Sequence, residues 1–203
     1  MKDGAFSRDH KVTTHNIRGV AMNKQKAKKI IEDGIKNKML FRYWRKRVDF
    51  YSCFGYFCNV GSDLAMVIDE DDFIFDGYHI IRLRDITEIE PKNDYYDYIL
   101  EQEGLKSKIV VPKIRLDSWQ TVLEDLQSTG KNVIIESESL EKDKSQFGIG
   151  KIIKTYKTLV HLKHFDADGI WDDGPTIIPY NTITKVIFDS RYVSVFSKYT
   201  KEQ

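Results

Sequence analysis

The residues best suited to chemistry in this chain are the basic and aromatic side chains at positions 40–47, LFRYWRKR. Cations can neutralise phosphates while rings and guanidinium planes stack on bases, which is what binding single-stranded nucleic acid requires. The same pattern also fits an amphipathic strand that buries Phe41 and Tyr43 and is followed by a solvated basic turn. The candidate residues for binding nucleic acid or a partner come from this run and from a later basic pair: Arg42, Trp44, Arg45, Lys46, Arg47, Arg82 and Arg84.

The acidic loops predict neither a metal site nor catalysis. Carboxylates cluster at 69–72 and at 166–173, and such clusters can bind a hard cation. An EF-hand loop starting at Asp166 would need Gly at its sixth position and Glu at its twelfth, but Gly169 is fourth and Ile177 is twelfth. We therefore interpret both loops as solvated hairpin turns that keep sheet edges soluble.

Cysteine and histidine residues are also expected to be structural. Cys53 and Cys58 are five residues apart on a predicted strand, so they should face opposite sides, and no second Cys or His pair supplies a zinc-binding spacing. His161 and His164, three apart on another predicted strand, should also face opposite sides. With no nucleophile elbow and no complete phosphate loop, we expect no enzyme, no catalytic residue, no cofactor and no metal.

Composition predicts a globular cytoplasmic protein. The chain has 203 residues, of which 41% are hydrophobic and 31% charged, enough apolar matter for packed cores. No run approaches the roughly 18 apolar residues that span a bilayer, and the first residues lack the apolar core of a secretory signal, so we expect no membrane partner. Residues 1–22 lack periodicity and predict a mobile arm, after which Met22 is an alternative start.

The formal net charge of +1 conceals an uneven distribution. Residues 1–47 carry 14 Lys or Arg against 4 Asp or Glu, a net +10, and residues 48–203 carry a net −9. This asymmetry predicts either a basic region for an acidic partner or attraction between two parts of the same chain.

The sequence contains an internal repeat. The pattern DGYHII followed by ITEI at 76–89 returns as DGPTII followed by ITKV at 173–186, with an offset of 97 residues. Upstream, Phe54-Gly55 matches Phe147-Gly148, and Leu40-Phe41 matches Val133-Ile134, both at an offset of 93. Offsets that drift slightly are expected when insertions fall in loops. We predict an arm at 1–22, a first repeat at 23–104 and a second repeat at 105–203 that opens with a linker strand near 109–112.

Each repeat is predicted to begin with an amphipathic helix. Apolar residues recur at helical spacing from Ala27 to Ile35 and from Trp119 to Leu126. Asp117 is the predicted N-cap of the second helix, and Gly130 and Asn37 are the predicted helix ends. Five strands follow each helix, with a 3₁₀ turn before the fifth: 40–44, 54–60, 64–68, 78–83 and 88–90, then 133–136, 149–155, 158–165, 176–178 and 185–188.

A helix followed by five short strands, with a 3₁₀ turn before the last, resembles the Sm-like, or SH3-like, small β-barrel. Each repeat also resembles short uncharacterised proteins of Gram-positive bacteria. In Sm-like proteins a glycine allows the second strand to bend, and Gly55 and either Gly148 or Gly150 occupy that place. The segment 80–89 is similar to the family's second motif. The resemblance implies a mainly β (α+β) fold of two tandem helix-plus-five-stranded barrels.

The RNA-binding motifs of the family are not matched. RNA-binding members carry Asn-Gly or Asp-Gly between strands two and three, whereas Asp76-Gly77 and Asp173-Gly174 precede the fourth strand here. We therefore expect a non-enzymatic protein-interaction or regulatory binding module. The alternative is a protein that binds single-stranded RNA through the run at 40–47. The expected partner is an unidentified protein or RNA, with a second copy of the chain, forming a homodimer, as a further option.

Overall fold

A computed structural model describes residues 22–201, and the predicted arm lies outside them except for Met22. The first half contains α1 (Lys24–Asn37), β1 (Leu40–Trp44), β2 (Ser52–Val60), β3 (Leu64–Asp71), β4 (Ile74–Arg82), β5 (Glu88–Lys92) and α2 (Tyr95–Gln102). The second half contains α3 (Trp119–Thr129), β6 (Asn132–Ser137), β7 (Gln146–Thr155), β8 (Leu159–His164), β9 (Thr176–Pro179), β10 (Lys185–Phe188) and α4 (Arg191–Phe196).

The strands form one antiparallel sheet of ten, in the order β5-β1-β2-β3-β4-β10-β6-β7-β8-β9. In both halves the fifth strand lies beside the first, and the other strands follow in chain order. The mainly β class is confirmed. The sheet is open rather than closed, because within residues 22–201 the end strands β5 and β9 each pair with a single neighbour.

All ten predicted strands are present. The predicted 3₁₀ turn before the fifth strand occurs in the first half, at Leu83–Asp85, but in the second half a hydrogen-bonded turn at 180–182 takes its place. The predicted linker strand is wrong. Residues 109–116 have no regular structure, and Pro112 offers no backbone donor to a ladder. Helix α2 was not predicted. At the start of this helix the Asp94 side chain accepts a hydrogen bond from Asp97 N, and on its inner face the side chain of Leu100 is buried.

Of the three predicted helix-end residues, Gly130 is confirmed as the left-handed residue that ends α3, with a φ of 69°, and the other two are displaced by one residue. Ser118, not Asp117, caps α3, because its hydroxyl accepts from Thr121 N while the Thr121 hydroxyl accepts from Ser118 N. The left-handed residue that caps the end of α1 is Lys38, with a φ of 48°, rather than Asn37, which is the last residue of the helix.

The two halves match at Gly55 and Gly150 rather than Gly148. Each of these two glycines lies two residues before a β-bulge, at Phe57 in β2 and at Ile152 in β7. A Cβ at either glycine would collide with a backbone carbonyl of the next strand. Glycine is therefore required at both positions by the close approach of two backbones.

The strand pairing shows that the first strands of the two halves correspond at an offset of 92 residues, rather than the predicted 93. Phe41 pairs with Gly55, and Val133 pairs with Gly150, so Phe41 corresponds to Val133 rather than to Ile134. Phe41 and Val133 are both buried in the cores. A shift of one residue matters because it exchanges the two faces of a strand.

Two main cores lie on the sheet. The first-half core packs α1 against side chains such as Phe41, Tyr43 and Val67. The larger core takes side chains from both halves, because α3 and the segment before it pack between the second half and the other face of β2–β4. Its members include Cys58, Met66, Ile68 and Ile80 from the first half, and Trp119, Val122, Leu123, Leu126, Val160 and Leu162 from the second.

Strands β4 and β10 join the halves. They pair antiparallel, with Ile81 opposite Lys185 and Tyr78 opposite Phe188, and the rings of Tyr78 and Phe188 stack 5.1 Å apart. Gly77 has a φ of 79°, and a Cβ there would lie 2.7 Å from the Phe188 carbonyl oxygen. The Asp-Gly pair of the first half therefore has a structural role in this junction.

A buried ion pair also connects the halves. Arg45, just after β1, is 1% exposed, and both of its terminal nitrogens donate to the Glu138 carboxylate at 2.6 Å. Glu138, just after β6, also accepts from the Thr184 hydroxyl at 2.8 Å and lies 3.0 Å from Lys185 Nζ. Burial alone would raise the pKa of Glu138, but the hydrogen bonds and charge of Arg45 lower it to about 2.

Removing one member of this pair should be far more costly than removing both. We expect Glu138→Ala to lower the free energy of unfolding by about 3–5 kcal/mol, because it removes both close hydrogen bonds of the buried Arg45 and leaves only Asp49, 3.7 Å away, as its counter-charge. The double variant Arg45→Met/Glu138→Leu should recover much of that loss, since neither residue is then charged. Urea unfolding followed by circular dichroism measures both values.

The matched control is Lys131→Ala, which removes the exposed ion pair between Lys131 and Asp189. It should cost less than about 1 kcal/mol. A loss for Glu138→Ala as small as that of the control would contradict a structural role for the buried pair.

Candidate functional site

The structure distributes the seven predicted binding residues over three places. Arg42, Trp44 and Lys46 lie on the outer face of the first half. Arg45 is not on the surface, because it forms the buried pair with Glu138. Arg47, Arg82 and Arg84 lie near one another beside a groove between the halves, where the Arg47 guanidinium donates to the Arg84 carbonyl oxygen at 2.7 Å.

We use the name β1–β2 face for the surface formed by Arg42, Trp44, Lys46 and Phe54. Alternation along β1 sends Phe41 into the core and Arg42 and Trp44 to the opposite side, and register places Phe54 opposite Arg42. The Arg42 guanidinium lies 4.6 Å from the centre of the Trp44 ring and 5.5 Å from that of Phe54. The cation is thus held against two rings.

The turn between β1 and β2 carries two exposed aromatic residues close to Trp44 along the hairpin, since Trp44 pairs with Ser52. Phe50 is 71% exposed and Tyr51 is 78% exposed. The backbone amide of Tyr51 donates to Asp49 Oδ1 at 3.0 Å, which orders the turn. Lys46 lies 5.7 Å from the Trp44 ring, and its charge is paired at 2.5 Å with Glu88.

An acidic pocket adjoins the β1–β2 face at Phe54, where the start of α2 meets the sheet. Its volume is about 410 Å³. The carboxylate of Glu70 accepts hydrogen bonds from the Tyr96 hydroxyl at 2.8 Å and from Phe73 N at 2.9 Å. Burial and the neighbouring Glu70 raise the pKa of Tyr96 to about 12. The residues that line the pocket are Phe54, Glu70, Asp71, Asp72, Lys92, Asp94 and Tyr96.

Helix α2 packs against the β3–β4 hairpin, whose two turn residues have a left-handed backbone conformation. Asp72 and Phe73 both have positive φ, 46° and 67°, as a two-residue hairpin of this hand requires. The ring of Phe73 packs 4.6 Å from that of Tyr96. Sequence reasoning missed this pocket because it missed α2; the signal available was Asp94 with Asp97 three residues later, a pattern typical of a helix start.

The inter-half groove is a second cavity of about 410 Å³. It lies between the end of β4 and the 3₁₀ turn of the first half, and the start of α3 and two turns of the second half. Its lining residues are Asp63, Leu64, Arg82, Arg84, Asp117, Ser118, Trp119, Gln120, Lys157, Tyr180 and Asn181.

Among residues 22–201, no group of three or more His, Cys, Asp or Glu side chains is arranged to hold a metal ion. In the same range no helix is both long and apolar enough to cross a membrane. Cys53 and Cys58 are free thiols. No protein-family model, curated protein or solved structure matches this chain.

The bond between Tyr96 and Glu70 should contribute measurably to the hairpin. Tyr96→Phe keeps the ring but removes a donor from a buried carboxylate, and should lower the free energy of unfolding by about 1–3 kcal/mol in urea titrations. The neighbouring Tyr95→Phe is the matched control, because Tyr95 is 75% exposed. Equal stability of the two variants would contradict the role assigned to Tyr96.

Proposed function

We propose that this chain is a non-enzymatic, cytoplasmic protein-interaction module built from two Sm-like barrel units, and that it binds a protein partner through the β1–β2 face. The repeated strand order of the two halves, and the bulge that follows Gly55 and Gly150, support the duplicated Sm-like interpretation. Such a module would act as a regulator, either by bringing its partner to another molecule or by preventing that contact.

The observation that carries this proposal is the Arg42 guanidinium held against Trp44 and Phe54, beside the exposed Phe50 and Tyr51. Arginine and aromatic residues are the types most enriched in protein interfaces and among the residues that dominate their binding energy. The acidic pocket beside Phe54 supplies a polar rim. Protein partners are therefore favoured over small ligands at this face.

Single-stranded RNA is the alternative partner, and the charges at the face weigh against it. Nucleic-acid affinity depends on several cations that are free to replace counterions. Arg45 is buried against Glu138, Lys46 is paired with Glu88, and Arg82 donates to Asp85. The adjoining pocket, with three aspartates, would repel phosphates.

A homodimer formed by adding one sheet edge to another is disfavoured. Both end strands of the sheet carry a proline, Pro91 opposite Phe41 in β5 and Pro179 opposite Leu159 in β9. Proline cannot donate to a new ladder and is a common protection of exposed edges. We therefore propose a different protein, rather than a second copy, as the partner.

The test compares partner binding by the wild type and by Arg42→Ala/Trp44→Ala. Partners are captured from a cell extract by photo-crosslinking at position 51, identified, purified and titrated by isothermal calorimetry. The double variant should weaken binding by about tenfold or more, because it removes the central anchors. A second double variant, Phe50→Ser/Tyr51→Ser, should weaken partner binding too. Because both side chains are largely exposed, this variant should fold like the wild type.

The control is Lys198→Ala/Tyr199→Ala, which removes a cation and an exposed ring from the second half and should leave affinity unchanged. Equal binding by all four proteins would contradict the assignment of the face. Micromolar binding of a single-stranded RNA that falls steeply with salt, and is lost in Arg42→Ala/Trp44→Ala, would replace the proposal with its alternative.

A further inference from the structure

The inter-half groove combines charge and apolar surface in a way that the β1–β2 face does not. Leu64, Trp119 and Tyr180 give the groove its apolar lining, and the Tyr180 hydroxyl donates to the Tyr156 carbonyl oxygen at 2.8 Å. A volume of about 410 Å³ lies within the range of small-molecule sites, which occur preferentially where two parts of a protein meet.

The charges lining the groove leave an excess of cations. Arg84 comes from the first half and Lys157 from the second, and both side chains are exposed. The carboxylate of Asp63 is paired with Lys24 at 2.7 Å, and this bond lowers its pKa. Arg82 is likewise paired with Asp85, and the Arg47 charge lies alongside through its bond to Arg84. Asp117 is the remaining carboxylate in the lining.

The first turn of α3 adds backbone donors at the same place. The capping box satisfies the amides of Ser118 and Thr121, which leaves those of Trp119 and Gln120 at the open end of the helix. An eleven-residue helix presents partial positive charge at that end. Cationic side chains and helix amides that converge on one cavity are suited to a tetrahedral oxyanion.

We propose that the inter-half groove binds a small organic phosphate. Arg84 and Lys157, together with the α3 amides, would hold the phosphate group. A phosphate alone would leave most of the cavity empty, so the organic part would lie on Leu64, Trp119 and Tyr180. This site is separate from the β1–β2 face and does not depend on the function proposed for it.

The probes are adenosine 5′-monophosphate, ribose 5-phosphate, inorganic phosphate and adenosine, titrated into the full chain by calorimetry at low and moderate salt. The two organic phosphates should bind, inorganic phosphate should bind more weakly, and adenosine should not bind. Arg84→Ala/Lys157→Ala should weaken binding of adenosine 5′-monophosphate by about tenfold or more, equivalent to about 1.4 kcal/mol. Arg82 is left unchanged because its partner Asp85 is buried.

Lys36→Ala/Lys151→Ala removes the same charge from exposed positions elsewhere and should bind like the wild type. In ¹H–¹⁵N spectra of the wild type, the amides of Trp119 and Gln120 should shift on titration. Absence of binding by both organic phosphates, equal weakening in the two lysine-containing double variants, or adenosine binding as tightly as its monophosphate would each overturn the proposal. Arg42→Ala/Trp44→Ala should retain phosphate binding, which separates this test from that of the face.

Discussion

The rest of the structure depends on the junction between β4 and β10. This pairing converts two sets of five strands into one sheet of ten, and it places α3 against the outer side of β3 and β4. The larger core exists only in that arrangement, because its side chains come from both halves. The inter-half groove is a consequence of the same contact, since its walls belong to different halves.

A buried ion pair between the two halves restricts how they can pack against each other. Arg45 and Glu138 must meet for either to be buried, because an unpaired charge in that position would be strongly destabilising. His79, opposite Ile187 in the same junction, must stay neutral: burial and then the charges of Lys185 and Arg45 lower its pKa to about 3. The uneven charge of the sequence is thus partly explained by attraction within the chain, at Arg45. The aromatic residues of the β1–β2 face lie outside this network of buried charges.

Local patterns predicted the strands because period-two alternation and the repeat are properties of neighbouring residues. They placed Phe41 and Tyr43 in the core, and continuing the same alternation by two residues would have put Arg45 on the buried side. The ion pair of Arg45 could not be predicted, because its partner Glu138 is 93 residues away and no local pattern identifies a partner at that distance. Helix α2 was missed because only Leu100 of its short apolar face is buried. The inter-half groove could not be predicted, because it requires knowing how the halves pack.

We expect the two halves to unfold as one cooperative unit, because the β4–β10 junction and the larger core join them. Native-state hydrogen exchange tests it directly at the amides of Ile80 in β4 and Val186 in β10, compared with Val67 and Leu162 inside each half. A single cooperative unit should show the same opening free energy at all four residues, equal to that of global unfolding. Faster exchange at Ile80 and Val186 than at the other two would show instead that the halves separate before they unfold and are not one cooperative unit.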